Sequence, residues 1–180
     1  MSLWVFGYGS LLWDPGFEPA ESRRGVLHGY HRSFCMLSIH YRGTEAQPGL
    51  VLALDNADHA TCTGLALRAK DGQEDQVLAN LRARELISDA YLEKFVDVET
   101  EAGPINAVTY VINHNNHQYC DFDLEKQAQM IASATGARGA NSEYLKNTAD
   151  HLDKMNIRDD EMAWLVQRVS QLLDPDGPPA

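Results

Sequence analysis

Apolar residues recur at two different periods along this chain, and the change of period divides it. Through roughly the first two-thirds, short runs rich in aliphatic and aromatic residues alternate with glycine- and proline-bearing turns, which is how strands read. The pattern predicts strands over residues 3–8, 26–40 (long or bent), 50–54, 62–68, 95–99 and 105–112. Residues 42–49 read as a loop from their glycine and proline content. One helical segment interrupts the strands at 72–85, where Val77, Leu78 and Leu81 share helical spacing and Glu74 and Asp75 stand where the helix dipole favours acids.

The last third changes to helical spacing. Leu124, Ala128 and Ile131 predict a helix from about Asp123 that stops near Gly136. A second begins near Asn141 with Tyr144, Leu145, Leu152 and Met155, and a third at Asp159 with Met162, Leu165, Val166 and Val169. Strands first and helices afterwards predict an α+β fold built on a mixed or antiparallel, barrel-like sheet with a helical C-terminal part.

Length and composition add bounds. At 180 residues without a long linker or an internal repeat, the chain reads as one domain, with residues 174–180 as a disordered tail. A formal net charge of −11 opposes nucleic acid and acidic membrane surfaces and leaves small molecules as the expected partners. Cys35, Cys62 and Cys120 are odd in number and form no CxxC pair, so a reducing cytoplasm is expected and neither a disulfide framework nor a zinc ribbon is. No membrane-length apolar run and no signal peptide is read.

Two features carry candidate chemistry. The run Trp4-Val5-Phe6-Gly7-Tyr8-Gly9-Ser10-Leu11-Leu12-Trp13 is an apolar strand broken by glycines. Gly7 and Gly9 can adopt positive φ or permit close approach, and successive N–H groups near Ser10 could form an anion nest; an ordinary strand and turn is the alternative. Both common nucleotide motifs fail here. Leu12 stands where a dinucleotide fingerprint needs a small residue, and the chain contains no GK[ST].

The second feature is Glu85, which continues the apolar row of the first helix, since Val77, Leu81 and Glu85 are spaced i, i+4, i+8. A carboxylate on that stripe is expected to be partly buried, with its pKa raised by desolvation and by the negative end of the helix dipole. It is then either a general base or the partner of an arginine such as Arg82 or Arg84. Elsewhere, His114-Asn115-Asn116-His117 has metal-like spacing but no third ligand nearby, and reads as a solvated turn. No metal is expected.

Taken together, positions 6–13, Gly29-Tyr30-His31-Arg32-Ser33-Phe34, Arg42-Gly43-Thr44 with Pro48-Gly49-Leu50-Val51, Leu81-Arg82-Ala83-Arg84-Glu85 and Asn141-Ser142-Glu143-Tyr144-Leu145 resemble the ChaC-type γ-glutamylcyclotransferases, which act on glutathione. The resemblance reaches to about Val169. It implies a small β-barrel flanked by helices, cleavage of a γ-glutamyl amide without water to give 5-oxoproline and Cys-Gly, and no cofactor. By position, Tyr8, Gly9, Ser10 and Leu11 resemble the substrate-cradling loop, Glu85 the catalytic acid/base and Tyr144 a pocket residue. Arg42 is a candidate counter-ion for a substrate carboxylate or, equally, a loop brace. The chain departs from the family at Ala83, Leu86 and Ile87-Ser88-Asp89-Ala90, where family members carry other residues. Related γ-glutamyl peptides as substrates, or a non-catalytic module with the same cradle, are the alternatives.

Overall fold

Period-two alternation in β1 and β5 sends neighbouring side chains into two different cores, and the barrel forms between them. In the computed structural model of the chain, which describes residues 2–177, five strands β1 (Trp4–Gly7), β2 (Glu21–Ser38), β3 (Gly49–Arg68), β4 (Tyr91–Thr100) and β5 (Gly103–Ile112) close in the order β1-β3-β2-β4-β5. Antiparallel pairing predominates, but β1 meets β5 in parallel with Val5 opposite Val108, so the sheet is mixed. Phe6, Ala107 and Val111 join Leu27, Leu54, Val96 and Val98 in one buried cluster. Val5, Val108 and Tyr110, on the opposite face, join Leu11 and the apolar stripe Val77 and Leu81 of α1 (Glu74–Glu85) in the other.

By contact density the chain forms two compact units, one made of the segments up to Ser33 and Ala53–His117, the other of Phe34–Leu52 and the chain from Gln118 onward. The second unit contains α2 (Leu124–Ser133), a hairpin of β6 (Thr135–Gly136) with β7 (Gly139–Ala140), α3 (Asn141–Lys154) and α4 (Asp160–Leu173). Asp123 and Asp159 cap α2 and α4, accepting from the N–H groups of Lys126 and Met162, as N-cap carboxylates do for otherwise unpaired donors. Arg168 of α4 forks onto Glu125 of α2 at 2.8 and 2.9 Å. Of the expected tail at 174–180, the last three residues lie outside the described ones; Gly177 donates to the Asp174 carbonyl at 3.2 Å.

Several boundaries differ from the sequence reading, β4 among them, which runs over Tyr91–Thr100 rather than 95–99. β2 starts at Glu21, not residue 26, because paired charges replace an apolar face there: Arg23 lies over the Trp4 ring at 5.0 Å and ion-pairs with Glu21. β3 is one strand, not two, and runs through the polar stretch 55–61, where ladder bonding needs no apolar side chain. α2 ends at Ser133 with an extended Ala134, so Gly136 is not its stop. Gly136 is required by close approach instead, since a Cβ there would lie 2.5 Å from the Gly43 nitrogen and from the Tyr41 carbonyl carbon.

The barrel interior leaves as little room at Gly64, where a Cβ would lie 2.3 Å from the Gly7 carbonyl oxygen and 2.8 Å from the Phe6 ring. Gly64→Ala is expected to cost about 1–3 kcal/mol, read as a lower urea midpoint with an unchanged slope; an unchanged midpoint would contradict the tight β1–β3 packing. Among the described residues, no helix is long and apolar enough to cross a membrane.

Candidate active site

Where β1 ends, the chain makes a 3-10 turn over Ser10–Leu12, with the Gly9 carbonyl accepting from Leu12 N–H at 2.9 Å and the Ser10 carbonyl from Asp14 N–H at 2.8 Å. A turn of this kind leaves its first N–H groups, those of Gly9, Ser10 and Leu11, without intrahelical acceptors. Positive φ is not how the glycines contribute: Gly9 has φ −130°, and Gly7 is not among the glycines with positive φ. Gly7 serves by close approach, because a Cβ would lie 3.2 Å from the Leu11 backbone carbon. The side chains of Tyr8 and Leu11 are buried in the two cores, and the Tyr8 hydroxyl donates to the Tyr110 carbonyl at 2.9 Å. What this segment presents is therefore backbone, together with the partly exposed Ser10.

Arg32 supports the turn from beneath. It is buried, and its Nε donates to the Tyr8 carbonyl and its Nη2 to the Thr63 carbonyl, both at 2.6 Å. The signal in the sequence is a lone cation inside an apolar strand, passed over among the other residues of that run.

Glu85 ends α1 with its side chain 17% exposed. Burial pushes its pKa above the ordinary carboxylate range, and the neighbouring Arg84 guanidinium only partly opposes this. Of the two arginines considered as partners, Arg82 is engaged elsewhere, forking onto Glu93 at 2.7 and 2.8 Å. Arg84 is the partner, its Nε 3.2 Å from Glu85 Oε1. Its two other nitrogens face the turn: Nη2 donates to Ser10 Oγ at 3.0 Å and Nη1 to the Asp14 carbonyl at 2.8 Å. Tyr110, whose hydroxyl donates to Glu93 at 3.3 Å, completes the surroundings, and burial together with Glu93 and Glu85 holds its pKa well above the usual phenol value.

Arg42 and Tyr144 come together within the second unit. The Arg42 guanidinium lies 5.8 Å from the centroid of the Tyr144 ring, a favourable cation–π distance. Its Nη1 donates to the Ala140 carbonyl at 3.1 Å and lies 3.8 Å from Glu143. Tyr144 packs edge-on against Phe34 with centroids 6.1 Å apart, and its hydroxyl accepts from Leu52 N–H at 3.3 Å.

His114 contacts Asp55, with 2.6 Å between Nε2 and Oδ1, and no group of three or more His, Cys, Asp or Glu among the described residues is arranged to hold a metal. Cys35, Cys62 and Cys120 form no disulfide and are buried, and burial pushes the Cys120 thiol up to about 11. A cavity of about 600 Å³ lies between α3 and α4 with an apolar floor of Leu145, Leu152, Ile157 and Met162. None of the candidate residues lines it.

The closed five-stranded barrel with its flanking helices is a fold shared with a solved γ-glutamyl cyclotransferase. A crystal structure of a γ-glutamyl cyclotransferase specific to glutathione, from yeast, matches with a TM-score of 0.84 at 21% identity, over 98% of this chain and 99% of that one. Residues 3–172 match the ChaC-like protein family, and the chain belongs to that family. A glutathione-specific γ-glutamylcyclotransferase of Escherichia coli K12 is 36% identical over 97% of this chain and 77% of its own length. The γ-glutamylcyclotransferase 2-3 of Arabidopsis thaliana is 33% identical over 96% of this chain and 91% of its own.

Proposed function

We propose that this protein is a glutathione-specific γ-glutamylcyclotransferase whose acid/base is Glu85. The observation that carries the assignment of the site is a carboxylate held above its ordinary pKa and linked through Arg84 to the Ser10–Leu12 turn at the end of β1. In a γ-glutamyl amide the α-amino nitrogen can reach the γ-carbonyl carbon and close a five-membered lactam. The site then has three tasks: to fold the substrate into the attacking shape, to take a proton from its ammonium, and to return one to the departing nitrogen.

Ionised Glu85 accepts the ammonium proton; the nitrogen attacks the γ-carbonyl carbon; the amide C–N bond breaks as the leaving nitrogen takes that proton back, and the second proton shed by the attacking nitrogen as it becomes the lactam N–H passes the same way, so that Cys-Gly leaves with its amine protonated. The products are 5-oxoproline and Cys-Gly. Backbone N–H groups at Gly9, Ser10 and Leu11 receive a substrate carboxylate or the developing oxyanion. With a net charge of −11, an anionic substrate is held by such local donors against the overall field. Arg42 and Tyr144 are binding residues in this reading, Tyr8 contributing its backbone rather than its phenol. Three buried cysteines outside any disulfide suit a cytoplasmic location.

The experiment is to incubate the pure protein with glutathione and with γ-glutamyl dipeptides and to measure 5-oxoproline. Product from glutathione far above that from the dipeptides is expected; none from any substrate would remove the enzyme reading. The pH dependence follows from the raised pKa of Glu85. Because the base must be ionised, kcat/KM should climb with pH through a limb lying above the ordinary glutamate value of about 4.3. A limb at or below that value would exclude Glu85 as the titrating base.

A further inference from the structure

We propose that Arg84 is a positioning residue of this site, a single planar fork that fixes the Ser10 turn and one oxygen of Glu85 in the same frame. The proposal rests on the cyclotransferase reading and deepens it. All three guanidinium nitrogens are engaged, and in three directions: Nη1 donates to the Asp14 carbonyl at 2.8 Å, Nη2 to Ser10 Oγ at 3.0 Å, and Nε lies 3.2 Å from Glu85 Oε1. The first two hold the ends of the turn, whose leading N–H groups have no acceptor within it. The third makes an ion-pair contact with the carboxylate rather than a donated hydrogen bond, so the same planar group touches both the turn and the acid/base.

This geometry distinguishes the two carboxylate oxygens. Oε1 faces a permanent cation, which disfavours a proton there, and Oε2 is left as the oxygen that takes and returns the substrate proton. Arg84 also has an electrostatic effect, opposing the burial that raises the pKa of Glu85. The other charged or titratable groups around the pair are Tyr110 on β5, Glu93 on β4 with its partner Arg82, and Asp14, whose carboxylate is 3.9 Å from Arg84. Of these, Arg82 and Glu93 neutralise one another. Removing the Arg84 charge therefore leaves Glu85 facing burial without its compensating cation, and its pKa rises further. A lysine keeps the charge but, as a point donor, cannot span three acceptors.

The test compares wild type, Arg84→Gln and Arg84→Lys. Glu85 is titrated directly by carbon-13 NMR of glutamate-labelled protein, its signal being the one missing in Glu85→Gln, and the Leu12 and Asp14 amides, which are hydrogen-bonded within the turn, are followed by hydrogen exchange. In Arg84→Gln the Glu85 titration is expected to move to higher pH, and the turn amides to exchange at least tenfold faster. In Arg84→Lys the titration should stay near wild type while turn exchange still accelerates. With glutathione as substrate, both variants should lose at least tenfold in kcat, and the acid limb should shift upward only in Arg84→Gln.

Unchanged Glu85 titration and unchanged turn exchange in Arg84→Gln would overturn the role of Arg84, whatever the activity. Wild-type protein that makes no 5-oxoproline would instead remove the cyclotransferase reading, and the two spectroscopic readouts would still decide whether the fork holds the turn and the carboxylate. Circular dichroism melting separates either result from simple unfolding.

Discussion

Glu85→Gln is expected to reduce conversion of glutathione to 5-oxoproline by about three orders of magnitude, with the folded protein melting at or above the wild-type temperature at neutral pH. The loss of rate follows from chemistry. Glutamine can neither accept the ammonium proton nor deliver one to the leaving nitrogen, and among the described residues Glu93, the nearby carboxylate bonded to Tyr110, is held below its ordinary pKa by Arg82 and makes a poor substitute base. The gain in stability follows from the same burial. A carboxyl whose folded pKa is raised favours the folded state most below its unfolded pKa, and that advantage is lost as pH rises through the folded value. At neutral pH the wild type therefore carries a desolvated charge that the neutral amide lacks, and burial outweighs the Arg84 attraction in the net shift. The advantage of the variant should shrink on acidification. Near-normal turnover would remove Glu85 from the mechanism, and a lower melting temperature at neutral pH would mean that the ion pair with Arg84 is worth more than the burial costs.

The parts of this site legible in the sequence are those whose signal is local. Glu85 stood out because i, i+4, i+8 spacing puts it in line with Val77 and Leu81, both buried. Gly7 and Gly9 marked the end of β1, although the reason for Gly7 is the proximity of Leu11 rather than positive φ. Strand β4 showed only its Phe95–Glu99 core because residues 91–94 alternate partly buried with exposed positions and carry charge. The Arg84 fork has no local signal at all: Ser10 and Asp14 are 74 and 70 residues away, and only the closed barrel brings them to the end of α1. Inward rotation of the Tyr8 phenol is equally non-local, since its acceptor is the Tyr110 carbonyl on β5.

Asn141→Ala is expected to destabilise the protein by about 2–6 kcal/mol, twice the cost of one buried backbone group left unpaired. Asn141 opens α3 and is fully buried. Its side-chain amide does the work of a missing strand: Nδ2 donates to the Leu50 carbonyl at 2.8 Å, and Oδ1 accepts from Leu50 N–H at 2.7 Å, while its own N–H reaches the Ala134 carbonyl at 3.0 Å. Alanine leaves both Leu50 groups without partners in a space that the surrounding chain keeps narrow; a Cβ on Gly49 would lie 2.2 Å from the Arg42 carbonyl oxygen. Aspartate keeps the acceptor but presents an oxygen to the Leu50 carbonyl and buries a charge, so it should be no better tolerated. The damage should extend to binding, because two residues along β3 the Leu52 N–H donates to Tyr144 of the same α3 turn, and Tyr144 carries Arg42 over its ring. Urea denaturation should therefore show a lower midpoint, and KM for glutathione should rise more than kcat falls. A wild-type midpoint would mean that water replaces the amide at Leu50, and that the start of α3, with Tyr144 one turn on, is held to β3 by packing rather than by these two hydrogen bonds.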